Sequence, residues 1–204
     1  MNAVQICNLA LGRLGGRAAI QSLEDADEEA RACAVVYPAT VASALTAYAW
    51  PFAERRATLA RLPASPSEAW GYAYALPVDC IQPVRLDDGL PWRPRGPAYA
   101  IEGSALLCDL DAAELVYVAD VAPELWPPSF AQYVSWRLAG ELALALDARA
   151  DLAKFALDRA SAEELRAISE VRAAERPRRD PDAEWIAARG GGPLDDFLEN
   201  GTAR

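Results

Sequence analysis

Three pairs of carboxylates lie close enough in this sequence to hold a hard cation or share acid and base work: Asp87-Asp88, Asp109 with Asp111, and Asp195-Asp196. They are the chemistry left after histidine is removed, and the chain contains none. Without an imidazole there is no Ser-His-Asp triad, no Cys-His dyad and no histidine-metal site. The cysteines Cys7, Cys33, Cys80 and Cys108 are far apart, with no C-x-x-C pair to make a zinc or redox motif, and are read as reduced thiols. Cys7 and Cys33 fall on apolar helix faces, where a free thiol behaves as a small hydrophobe. Gly12, Gly15 and Gly16 invite a phosphate-loop reading, but no Gly-Lys-Ser/Thr follows and no strand precedes them. They fit the end of a helix, with glycine at a left-handed cap. Asp87-Asp88-Gly89 reads as a turn, and Asp109-Leu110-Asp111 as the end of a strand. The sequence therefore predicts no catalytic residue, no cofactor-binding residue and no metal ligand. A carboxylate-dependent metal enzyme is the weaker alternative.

Composition narrows the class further. Apolar residues make up 52% of the 204, yet no apolar run approaches the roughly 20 residues that span a bilayer, so no membrane partner is expected. The first residues show no basic segment followed by an apolar stretch, so the expectation is a chain that stays in the cytoplasm of the cell that makes it. A net charge of −10 and a pI near 4.6 disfavour an extended phosphate-binding surface, which needs clustered Lys and Arg. Lys154 is the only lysine; the remaining basic residues are arginines, suited to paired hydrogen bonds with carboxylates at subunit contacts.

The elements that must position these groups follow from periodicity. A helix is predicted over residues 3–14, with Val4, Cys7, Leu11 and Leu14 on one face. A second is predicted to start at the N-cap Asp25, with Glu28 three residues on, and to carry Ala30, Cys33, Ala34, Tyr37, Val41 and Leu45. Pro38 predicts a kink or break in it near residues 36–37. Residues 57–120 turn rich in Pro, Gly and aromatics. Trp70, Tyr72, Tyr74 and Leu76 alternate with small residues, and residues 98–101, 105–108 and 115–118 read as further strands, with a turn at Glu102-Gly103. Helices return over 130–146, where Val134, Leu138, Leu142 and Leu146 recur, and over 150–174, with Phe155, Leu157, Leu165, Ile168 and Val171 apolar. The expected fold is mainly α with a β insert: a four-helix bundle plus a small antiparallel β subdomain. Its parts are an N-terminal helical hairpin (1–56), the β-rich insert (57–120), a C-terminal helical pair packing on the first (127–176), and a flexible tail (177–204). Short, proline-marked strands suggest free sheet edges that pair with a neighbouring subunit.

Several runs combine in a suggestive order. Ile6-Cys7-Asn8-Leu9-Ala10-Leu11-Gly12-Arg13-Leu14-Gly15-Gly16 is followed by Ile20-Gln21-Ser22-Leu23-Glu24-Asp25, then by Glu29-Ala30-Arg31-Ala32-Cys33 and Tyr37. Next come Trp50-Pro51-Phe52-Ala53-Glu54-Arg55-Arg56-Ala57-Thr58-Leu59, Tyr72-Ala73-Tyr74-Ala75-Leu76-Pro77-Val78-Asp79-Cys80, Leu115-Val116-Tyr117, Pro127-Pro128-Ser129-Phe130 and Leu138-Ala139-Gly140-Glu141-Leu142-Ala143. Over most of residues 3–165 this resembles the podovirus tail tubular protein A family, the head-to-tail adaptors of tailed phages. The resemblance implies a structural virion protein. Its subunits would form a homo-oligomeric ring, twelve-fold in known members, beneath the portal protein and above a downstream tail or nozzle protein. DNA would pass through the channel without stable binding. A head-completion or stopper protein of another phage type is the alternative within the structural class. In a ring, the charged face of the last helix, with Glu163, Arg166 and Glu170, would make intersubunit ion pairs or line the channel; plain solvent exposure is the other reading. The tail holds two apolar islands, Trp185-Ile186 and Leu194 with Phe197-Leu198, about the breaker Gly190-Gly191-Gly192-Pro193. They are expected to anchor it on the portal, the alternatives being a disordered end or islands folded on their own domain.

Overall fold

The first helix, α1 (Ala3–Arg13), is fixed at its start by a reciprocal cap: Asn2 Oδ1 accepts from the Gln5 amide and Gln5 Oε1 from the Asn2 amide, both at 2.9 Å. Its inward face, Ile6, Cys7, Ala10 and Leu11, is buried, and Gly15 follows with φ +74°, a left-handed geometry that costs glycine little. The computed structural model describes residues 1–15, 18–63, 69–87, 96–147 and 149–174. Residues Met1–Val171 form one body, and Arg172–Arg204 a second unit of which residues 172–174 are described.

The loop after α1 is clasped by Asn8, whose side chain donates to Ile20 O at 2.9 Å and accepts from Ile20 N at 2.8 Å. Asp25, expected as the cap of the second helix, instead accepts from the Gln21 and Ser22 amides and closes that loop; Asp27 is the N-cap of α2 (Glu28–Thr46). The predicted break at Pro38 does not occur, and α2 runs through it. Pro38 and Ala34 both sit on the exposed side, where water can take the Ala34 carbonyl that proline leaves unbonded.

Seven strands follow: β1 (Glu54–Thr58), β2 (Ala60–Arg61), β3 (Tyr72–Ala75), β4 (Cys80–Asp87), β5 (Ala100–Glu102), β6 (Ala105–Cys108) and β7 (Glu114–Ala119). They make two antiparallel sheets, one in the order β1-β7-β4 and one in the order β2-β3-β6-β5. β7 is central and buried from Leu115 to Ala119. β4 is an edge strand with two irregularities in its register, which is where its Pro83 can be held without breaking a ladder. β5 and β6 form a hairpin across Gly103, φ +61°. A short 3-10 turn, Pro123–Leu125, leads to α3 (Pro128–Asp147) and α4 (Ala150–Ala174).

This overturns the expected four-helix bundle with a small β subdomain. The strands form two sheets of three and four strands, and their inward residues Leu86, Leu106, Leu115 and Tyr117 lie in the same hydrophobic core as Ile6, Leu45, Phe130 and Leu138 of the helices. The helices are not equivalent bundle members either: α1 and α2 pack along α3, whereas α4 comes close to α3 at Gly140. There a Cβ would lie 2.7 Å from Leu157 Cγ, so glycine is what admits the approach.

The centre of the core is aromatic. Trp50, 1% exposed, donates from Nε1 to Ala44 O at 2.9 Å and packs against Tyr48, Phe52, Phe130 and Tyr133. The Trp50-Pro51-Phe52 run thus joins the end of α2 to β1 and α3.

Candidate functional site

Among the described residues, the carboxylates that sequence offered for chemistry do not converge. Asp87 meets Arg56 and, at 3.4 Å, Arg85 on the surface of the three-stranded sheet. Asp109 Oδ1 accepts from the Gly71 amide at 3.0 Å, holding the start of β3, and Asp111 pairs with Arg61 at 3.1 Å. Asp88, Asp195 and Asp196 lie outside the described residues. Among the described residues no group of three His, Cys, Asp or Glu side chains is placed to hold a metal ion. The four cysteines are free thiols; Cys7, Cys33 and Cys108 are buried and Cys80 is half-buried. The thiol of neighbouring Cys33, with burial, holds Cys7 protonated, and burial pushes Cys80 and Cys108 up.

The arrangement that does bring functional groups together is on α4. Its buried stripe is made of small residues, Ala153, Ala156, Ala160 and Ala167, in steps of three, four and seven. Glu163 occupies the stripe position between Ala160 and Ala167, and its side chain is only 16% exposed. It stands 3.9 Å from Arg159 and 3.7 Å from Arg166, and Arg166 in turn reaches Glu170 at 3.2 Å. Arg13 at the end of α1 completes the cluster. Its guanidinium lies 4.1 Å from the centre of the Trp136 ring and donates to Gln132 O, while Arg159 lies 5.7 Å from the same ring. Burial lowers the Arg13 pKa, Glu163 pulls it back up and Arg159 opposes it, so the Glu163 carboxylate serves a partly desolvated cation.

Of the predicted face, Arg166 and Glu170 are exposed and line a shallow surface hollow with Pro127, Pro128, Ser129 and Gln132, whereas Glu163 points into the junction of α1, α3 and α4. Arg13 and Trp136 carry no sequence signal of their own; the signal is Glu163 on the alanine stripe, a carboxylate where the helix turns inward.

The large apolar residues of α4 divide: Leu152, Ile168 and Val171 pack half-buried beside the alanine stripe and Leu157 abuts Gly140, whereas Phe155 and Leu165 take the outer side. Phe155 is 54% exposed and Leu165 69% exposed. Phe155 rests edge-on to Trp136 with ring centres 6.1 Å apart, but most of this face is open. α4 therefore presents solvent with bulky hydrophobes interleaved with Lys154, Asp158, Ser161 and Arg166. The edge strand β1 adds exposed Glu54, Arg55 and Arg56; Arg55 pairs at 2.7 Å with Asp79, which also accepts from the Tyr117 hydroxyl at 3.0 Å. The tail anchors Trp185, Ile186, Leu194, Phe197 and Leu198 lie outside the described residues.

In comparisons with known proteins, no family model matches the chain and no curated protein matches it in sequence. No described helix is long and apolar enough to cross a membrane.

Proposed function

We propose that this chain is a structural head-to-tail adaptor of a tailed phage, a subunit of a twelve-membered ring that couples the portal protein to the downstream tail and leaves a channel for DNA. The reading carries no catalytic step, and its place is the virion. The observation that supports it most is the outer face of α4. A 25-residue helix that turns alanines inward and leaves Phe155 and Leu165 at the surface offers apolar area for another chain to cover. A repeated contact between that face and a different face of the next copy is heterologous, and closes into a ring when the rotation per subunit divides the circle. The ordered motifs of the sequence supply the second support, since the Trp50-Pro51-Phe52 run, part of the resemblance to adaptors, is the hub of this core.

The mechanism is geometric. Each subunit covers apolar surface on its neighbour, the arginine-carboxylate pairs of α4 and β1 set the register of the contact, and a net negative wall keeps DNA from adhering as it passes. Mixing the purified subunit with portal protein tests it: mass photometry should show subunits adding to the portal as a complete set. A subunit that stays monomeric and indifferent to portal under every condition rejects the proposal.

A further inference from the structure

The start of α1, the middle of α2, the beginning of β4 and the segment 120–126 enclose a half-open cleft of about 500 Å³. That is the size range of sites for small ligands and short peptide segments. Its walls are apolar: Pro38, Val41, Ile81, Val121 and Trp126. Trp126 is anchored by a hydrogen bond from Nε1 to Val121 O at 2.8 Å and stands edge-on to Phe130 at 5.1 Å, so this wall is continuous with the aromatic core and does not collapse into the cleft.

The polar groups about the cleft carry one sign. Asp120 lines it and is exposed, and Glu124 is exposed nearby. Both act on the Tyr37 hydroxyl at the wall, whose pKa is raised by burial first, then by Cys7, and then by Glu124 and Asp120. Neither carboxylate makes a side-chain hydrogen bond or ion pair among the described residues, and no arginine or lysine lines the cleft. Elsewhere on this molecule Asp79, Asp87 and Asp111 are each matched by an arginine, whereas the two carboxylates beside this apolar floor have none among the described residues.

We propose that this cleft is a docking site for a segment of a partner protein that presents an arginine or lysine flanked by apolar side chains. The aliphatic stem would lie on Trp126, Val41 and Pro38, and the cationic head would meet Asp120, Glu124 and the Tyr37 hydroxyl. Long cationic side chains suit this shape because the stem is buried while the head keeps polar company. Charge complementarity selects the occupant, since an acidic or neutral segment would leave the rim unmatched. The proposal does not rest on ring formation, because the cleft is complete within one subunit and lies away from α4.

The test is a titration of the isotope-labelled full-length subunit, without portal, followed by amide and indole resonances. The probes are the capped tripeptides Leu-Arg-Leu and Leu-Glu-Leu. The arginine peptide should shift resonances of residues 37–42 and 120–126 and the Trp126 indole, with weaker binding at higher salt. The glutamate peptide should not. Asp120→Asn with Glu124→Gln should weaken the arginine peptide by about tenfold, the loss of one charge-assisted contact. Ala42→Trp, which fills the cleft, should abolish the shifts. Equal binding of both peptides, an unchanged affinity in the doubly neutral variant, or no shift at these positions would overturn the proposal. So would shifts of the same resonances on concentrating the protein alone, which would give the cleft to a second copy. None of these outcomes bears on assembly with portal.

Discussion

Leu165→Gln separates a contact surface from a core position. Glutamine keeps the helix propensity of leucine nearly unchanged, so α4 itself is not weakened. Leu165 is 69% exposed, and complete burial of a leucine is worth roughly 1.5–3 kcal/mol, so the third already covered contributes roughly 0.5–1 kcal/mol to the free subunit. For a body of this size that is a fall in Tm of about 1–4 °C. If a neighbouring copy covers the rest, each contact loses roughly 1–2 kcal/mol, and in a closed ring of the twelve-fold kind the loss recurs at every interface. The free variant should therefore melt within a few degrees of the parent and retain its circular dichroism. Mass photometry with portal should show incomplete rings at concentrations where the parent forms complete ones. Two results would refute the reasoning: a free subunit that unfolds on substitution, which makes Leu165 part of its own core, or full assembly of the variant, which removes this face from the contact.

Other expectations follow from the same structure. Trp50→Phe should lower stability by about 2–4 kcal/mol, through lost volume and the orphaned Ala44 carbonyl, a drop of about 5–15 °C in a thermal melt. Stability should fall as the solution becomes alkaline. The pKa values of Cys80, Cys108, Tyr74 and Tyr117 are raised by burial, so in the unfolded chain they ionise from pH 9 to 10 while the folded protein holds them neutral. Their contribution is fully present below pH 9 and is lost above it, which a urea midpoint at pH 10.5 against pH 7 measures. Replacing Trp185 and Phe197 together by alanine should leave the Tm of the free subunit unchanged while weakening attachment to portal; unfolding of the free variant would place those side chains in the core instead.

The helices were legible because three-and-four spacing of large apolar residues coincided with burial, as at Val134, Leu138 and Leu142 of α3, all 0% exposed. The β5–β6 hairpin was legible from Glu102-Gly103. β1 and the whole of β4 were not: Glu54-Arg55-Arg56 and Arg85 place charge where a strand is expected to alternate, and both are edges whose outer residues meet water and each other's arginines and aspartates. Reading the sheets as a small insert followed from missing those two strands, which flank β7 and bring it into the common core. α4 was legible in extent but not in orientation. Hydropathy ranks Phe155 and Leu165 above alanine, yet the fully buried stripe is alanine, with Leu152, Ile168 and Val171 half-buried beside it and Leu157 seated against Gly140. Asp25 differs for a local reason: its carboxylate closes a turn two residues before Asp27, the residue that caps the helix. Glu163 was legible as part of a charged face, but not its inward role, because Arg13 comes from α1 and Trp136 from α3, neighbours that only tertiary packing brings to α4.

Cryo-electron microscopy of the subunit bound to purified portal protein tests the central claim most directly. The account predicts a closed ring beneath the portal with an open axial channel, and the α4 face bearing Phe155 and Leu165 covered by a neighbouring chain. Portal particles without added density, or a ring in which that face points into solvent at every copy, would contradict it.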